Sequence, residues 1–199
     1  MNESISTTLI WPGRPFADGR GFGWDVQQAF THVEAEPDAF ETALKIMTSA
    51  RDRRSKLYFV GNGGSAAIAS HMAADFTKAG GFSAFALNDA AALTAWSNDC
   101  GYEKSYVSQL HNHLDNGDVV IAISSSGASR NIIDAVDVDH QGPHEFDRIT
   151  LSGFNPGNPL RAKGDLNFYV PSHRYGVVEV VHLMILHAML DSIVAQEVA

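Results

Sequence analysis

LYFVGNGGSAAIASHMAADF, residues 57–76, is the stretch from which the fold can be read outward. Leu57, Tyr58, Phe59 and Val60 are branched or aromatic and suit a buried strand. Gly61-Asn62-Gly63-Gly64-Ser65 then lets the backbone turn sharply and approach a ligand. Ser65 opens an alanine-rich helix, where its hydroxyl can cap free N–H groups or meet an anion. Strand, glycine-rich turn and helix together outline a phosphate cradle. No Gly-Lys-Ser/Thr follows, so it is not a Walker loop, and the glycine spacing is not the dinucleotide fingerprint. His71 and Asp75 lie four residues apart on that helix and share one face. Spacing alone fits an ordinary polar pair equally well. A phosphate cradle followed along the same helix by such a pair points toward chemistry on a phosphorylated metabolite.

Working outward, strands and helices alternate. Residues 23–52 read as helical, with Pro37 opening a second helix at its first turn. After the helix 64–79, strands are expected at 83–87, 119–123, 146–152 and 166–170. Helices are expected from Asp89 to about Ser97, over 102–113 and 130–138, and from Tyr175 to about Ala195. Val119–Ile123 is apolar throughout and suits a central strand buried on both faces. The expected fold class is α/β: a three-layer sandwich with a parallel five-stranded sheet flanked by helices. One domain over 21–199 follows an N-terminal arm, 1–20, which reads either as extended onto a neighbouring subunit or as a loose tail.

Composition narrows the function classes. The formal charge of −9 argues against non-specific nucleic-acid binding, so no nucleic-acid partner is expected. Cys100 is the only cysteine, which excludes an internal disulfide and a thiolate metal cluster. The longest apolar stretch, 177–186, contains Glu179 and His182, so no membrane span is expected; with no signal-like N-terminus, the expected location is cytoplasmic.

The second strand-to-helix junction holds Ser124, Ser125, Ser126 and Ser129 within six residues, at the carboxyl end of the central strand. Open parallel sheets bind ligands at that end, and hydroxyls with helix-terminal N–H groups hold a phosphate dianion without an arginine. The blander alternative is a serine-rich turn that only caps a helix. On the last helix, Glu179, His182 and His187 interrupt an apolar run. Buried ionisable groups are costly unless paired or metal-bound, and carboxylates with imidazoles suit Zn²⁺ or a similar ion. One of the two histidines reads equally as a satisfied core residue. Glu179 and His187 are eight apart, roughly 12 Å along the axis and about 80° apart around it. Either two chains contribute to one ion, or only one of the pair ligates it.

GNGGSA (61–66), SHMAADF (70–76), SNDCGYE (97–103), ISSSGASRNII (123–133) and VPSHRYGVVEVVHLMILH (170–187) together resemble the sugar isomerase (SIS) domain, of flavodoxin-like nucleotide-binding type. Within it the chain is most similar to the phosphoheptose isomerase family. That resemblance implies a homotetramer with active sites at subunit interfaces. It implies interconversion of sedoheptulose 7-phosphate and glycero-manno-heptose 7-phosphate. The substrate-binding positions it implies are Asn62, Gly63, Ser65, Asp89, Ser124, Ser125, Ser126, Ser129 and Glu179; the catalytic ones are Asp75 and His187. His71, Asp75, Glu179 and His187 are the implied metal ligands, with Zn²⁺ the implied cofactor. The chain departs from the family in carrying Asp75 for a glutamate, Glu179 for a glutamine and Gly176 for an aspartate; Lys78 is the nearest cation to a missing arginine. Those departures keep alternatives open. One is a non-catalytic SIS module, sensing a sugar phosphate or acting as a tetrameric protein adaptor; another is an isomerase of a different sugar phosphate.

Overall fold

The computed structural model describes residues 19–138 and 145–198. The expected arm up to residue 18 and most of the expected polar loop after Val138 lie outside the described residues. In order, the elements are α1 (Arg20–Thr31), β1 (Glu34–Ala35), α2 (Ala39–Asp52), β2 (Lys56–Gly61), α3 (Gly64–Lys78), β3 (Ser83–Ala86) and α4 (Ala90–Cys100). Then come a 3₁₀ turn (Tyr102–Lys104), α5 (Ser105–His113), β4 (Val119–Ser124), α6 (Arg130–Val136) and β5 (Asp147–Gly153). A second 3₁₀ turn (Pro159–Ala162), β6 (Leu166–Val170) and α7 (Tyr175–Val198) complete the chain.

The sheet runs β1-β6-β5-β4-β2-β3 and has six strands, not the expected five. β1 is the addition: two residues, antiparallel to β6, with Glu34 opposite Tyr169. A strand that short carries no alternation in the sequence. Pro37 also stands outside the second helix, because Asp38 takes a left-handed conformation (φ 61°) and α2 begins only at Ala39. The other pairings are all parallel. Counting the parallel strands alone, the order is 2-1-3-4-5, and direction reverses between β2 and β4. Ligands of such sheets bind in the crevice at that switch point, beyond the carboxyl ends of the strands.

The pleat divides the core in two. Leu57 and Phe59 of β2, with Val119, Ile121 and Ile123 of β4, face α1, α2, α3 and α7. Tyr58 and Val60, with Val120 and Ala122, face α5 and α6. Successive strand side chains point to opposite faces, so β4 is buried along its whole length, as its unbroken apolar run requires.

α7 sets the geometry of the site. It is long and apolar enough to cross a membrane by length and composition, yet half of that stretch is buried inside the fold. It lies beside α3 in the same direction. Gly64 meets Glu179, the ring of His71 lies 5.3 Å from that of His187, and Gly80 is close to Leu190. Whatever stands at the start of α3 therefore faces the start of α7, and residues two turns along each helix meet as well.

Candidate active site

At the switch point the two Gly/Ser junctions close on each other. A cleft of about 220 Å³ is lined by Asn62, Gly63, Gly64, Ser65, Ile123, Ser124, Ser125, Ser126, Ser129, Tyr175 and Glu179. Gly63 has φ 55° and ψ −122°, a conformation a side chain would strain. A Cβ on Gly64 would collide with the Glu179 carboxylate, so this glycine leaves room for that side chain at the start of α3. Asn62 and Asn131 exchange side-chain hydrogen bonds of 2.8 and 2.9 Å, which tie the first junction to the second. The Tyr102 hydroxyl donates to Asn62 Oδ1 at 2.8 Å, and the buried Tyr106 hydroxyl donates to the Gly61 carbonyl at 2.5 Å. Burial pushes the Tyr106 phenol up to about 12, so it remains a proton donor to that carbonyl.

Several groups in the serine turn remain available. Ser124 Oγ donates weakly to Ser129 Oγ at 3.3 Å, and Ser126 Oγ accepts from the Ala128 N–H at 3.3 Å. Ser125 Oγ is buried with no partner among the described residues. Among the described residues no lysine or arginine lines the cleft, and Glu179 is the one charged side chain that does. Burial alone raises the pKa of Glu179. The lining is thus rich in neutral donors, with a single carboxylate on one wall. It suits an anion held by hydroxyls and backbone N–H groups.

The second cluster lies further along α3 and α7. His71, Asp75 and His187 each offer a ligand atom, and these atoms all lie within 4.8 Å of one another. His71 Nε2 is 3.4 Å from Asp75 Oδ2. A four-coordinate zinc with bonds near 2.0–2.1 Å needs ligand atoms about 3.3 Å apart, a modest contraction from what is present. Two imidazoles and a carboxylate, partly open to solvent, are a donor set that fits such an ion with a position left for another ligand.

The structure thus brings His71, Asp75 and His187 together and leaves Glu179 out, because eight residues of helix carry it back to the serine cleft. Asp89 is also not among the residues lining that cleft. Its carboxylate caps α4, accepting from the N–H groups of Ala91 and Ala92 at 3.1 and 3.0 Å. His182 is fully buried, Nε2 facing the Ser152 carbonyl at 3.2 Å, and burial lowers its pKa to about 4. It is a core histidine beneath the cleft. Sequence reasoning passed over Asn131, Tyr102 and Tyr175. Asn131 carried a usable signal, a polar residue in the first turn of a helix that opens from the serine turn.

The family model for the SIS domain matches residues 22–144. The chain is 31% identical over 167 residues to a phosphoheptose isomerase of Helicobacter pylori, covering 81% of this chain and 85% of that one. It is 32% identical over 180 residues to the DnaA initiator-associating protein DiaA of Klebsiella pneumoniae, covering 86% and 91%. The solved structure of phosphoheptose isomerase GmhA from Neisseria gonorrhoeae superposes with a TM-score of 0.76 at 32% identity, covering 88% of this chain and 95% of that chain.

Proposed function

The chain belongs to the SIS domain family, and from that premise we propose that it is an aldose–ketose isomerase acting on a sugar phosphate. The substrate we infer is sedoheptulose 7-phosphate, converted to glycero-manno-heptose 7-phosphate. One observation carries this: a hydroxyl-lined cleft and a His/Asp cluster occupy two stations on the same parallel helix pair. Seven residues separate Gly64 from His71, about 10 Å along the helix. That is a reach suited to a chain held by its phosphate at one end and worked on at the other.

In this mechanism the phosphate docks on Ser124, Ser126, Ser129 and the N–H groups that open α3. Asp75 removes the proton from the carbon next to the carbonyl and returns it to the former carbonyl carbon. His187 moves the hydroxyl proton between the two oxygens, so that an enediol links ketose and aldose without net gain or loss of protons. His71, Asp75 and His187 would hold a zinc ion, which would supply polarisation of the substrate carbonyl. On α7 Val180 is exposed and Leu183 and Met184 are partly exposed, Trp24 of α1 is 60% exposed, and α4 has no buried residue. These surfaces support a homotetramer, and a phosphorylated metabolite as substrate supports a cytoplasmic location.

The relative named DiaA favours a second reading, a protein adaptor that keeps the serine cleft and has no need of the His/Asp cluster. Incubation with sedoheptulose 7-phosphate separates the two. Aldose formation supports the isomerase; binding without turnover in the metal-supplemented protein supports the adaptor.

A further inference from the structure

Phe154 adopts φ 60°. The left-handed region is unfavourable for a bulky side chain, and such strain persists only where the surroundings enforce it. Here both backbone groups are tied down. The Phe154 N–H donates to the Ser172 carbonyl at 2.9 Å, and its carbonyl accepts from the Tyr169 hydroxyl at 2.8 Å. The outcome is an aromatic stack at the end of β5. The Phe154 ring lies 5.9 Å from the His173 ring, nearly parallel, and 4.7 Å from the Tyr175 ring, edge to face. Tyr175 is half exposed and lines the serine cleft with Glu179, four residues further along the same helix face.

Phosphoryl oxygens are met by hydroxyls and N–H groups, which the cleft already supplies. They gain nothing from the face of a phenol. An aromatic plate fixed at the mouth of that cleft instead suits the apolar C–H surface of whatever the phosphate is attached to, and its hydroxyl can meet a polar group there. The next residue, Gly176, has no side chain to offer at the position where the family resemblance expects an aspartate. We propose that Tyr175, held edge to face by the Phe154 ring, which His173 stacks against in turn, is a specificity-determining residue that packs against the carbon chain of the phosphorylated ligand. This inference rests on the serine cleft binding phosphate.

The test is calorimetric titration of the metal-supplemented protein with inorganic phosphate and with sedoheptulose 7-phosphate. Tyr175→Ala should weaken the sugar phosphate about tenfold, about 1.4 kcal/mol, and leave inorganic phosphate unchanged. Tyr175→Phe should recover most of the loss. Phe154→Gly, which relieves the backbone strain but frees the Tyr175 ring, should fall between. Circular dichroism that matches the parent protein keeps a folding defect from imitating the result. Equal weakening of both ligands, or no change in either, overturns the role of Tyr175 while leaving the cleft intact. Failure of the parent protein to bind either ligand overturns the phosphate cleft, and this inference with it.

Discussion

The serine cleft and the His71/Asp75/His187 cluster stand on the same two helices and are built in opposite ways. The cleft is held by hydrogen bonds between its own parts: the reciprocal Asn62–Asn131 pair, the Tyr102 and Tyr106 hydroxyls, and glycines that admit close backbone approach. The cluster has the single His71–Asp75 contact and an edge-to-face meeting of two imidazoles. Binding a constant feature of a substrate calls for rigid, neutral donors. Moving protons calls for ionisable groups whose final geometry is set by what they bind. One helix pair carries both because each helix opens at the switch point and runs away from it.

If the cluster does the chemistry, its loss should be the largest effect. Asp75→Asn is expected to lower kcat by roughly 10²–10⁴-fold, with KM within a few-fold, in steady-state assays of sedoheptulose 7-phosphate. A matching loss in KM alone would assign Asp75 to binding and erase the contrast. The next effect is on stability and comes from His182, buried on α7 against β5. His182 is pushed down to about 4, so below about pH 6.5 the unfolded chain takes a proton that the folded chain refuses. Stability should be flat above that pH and fall by on the order of 3 kcal/mol on approaching pH 4. Denaturant melts across this range check it, and His182→Gln should flatten the acid limb.

At the cleft the effects should be smaller. Ser126→Ala is expected to raise KM about tenfold, consistent with one hydrogen bond to a charged group, and to leave kcat nearly unchanged. Smallest is Glu179→Gln. The carboxylate lines the cleft that would hold the phosphate, and burial raises its pKa. As pH rises it ionises and repels the dianion, whereas glutamine does not. Phosphate should therefore bind a few-fold more tightly to the variant, with a gap that widens as pH rises and the carboxylate ionises, read by calorimetry. A gap that narrows over that range would remove Glu179 from the anion's surroundings.

Much of this arrangement was legible in the chain. The apolar run of β4 and the two Gly/Ser junctions announced a parallel sheet with a ligand crevice, because strand burial and turn chemistry are local properties. The four-residue spacing of His71 and Asp75 likewise fixed a shared helix face. What escaped depended on tertiary packing. β1 has two residues and so no period. The separation of Glu179 from His187 suggested that one ion would not take both, but their destinations depended on how α7 packs on α3. The left-handed Phe154 has no signal in sequence, since an aromatic residue is a poor candidate for that conformation.

The most direct test follows sedoheptulose 7-phosphate by NMR in D₂O with the zinc-loaded protein. The proposed isomerisation requires an aldose 7-phosphate to accumulate, with deuterium at the reacting carbon to the extent that the proton held by Asp75 exchanges with solvent, and aldose formation to vanish in Asp75→Asn. Ketose that binds yet is returned unchanged and undeuterated would contradict it.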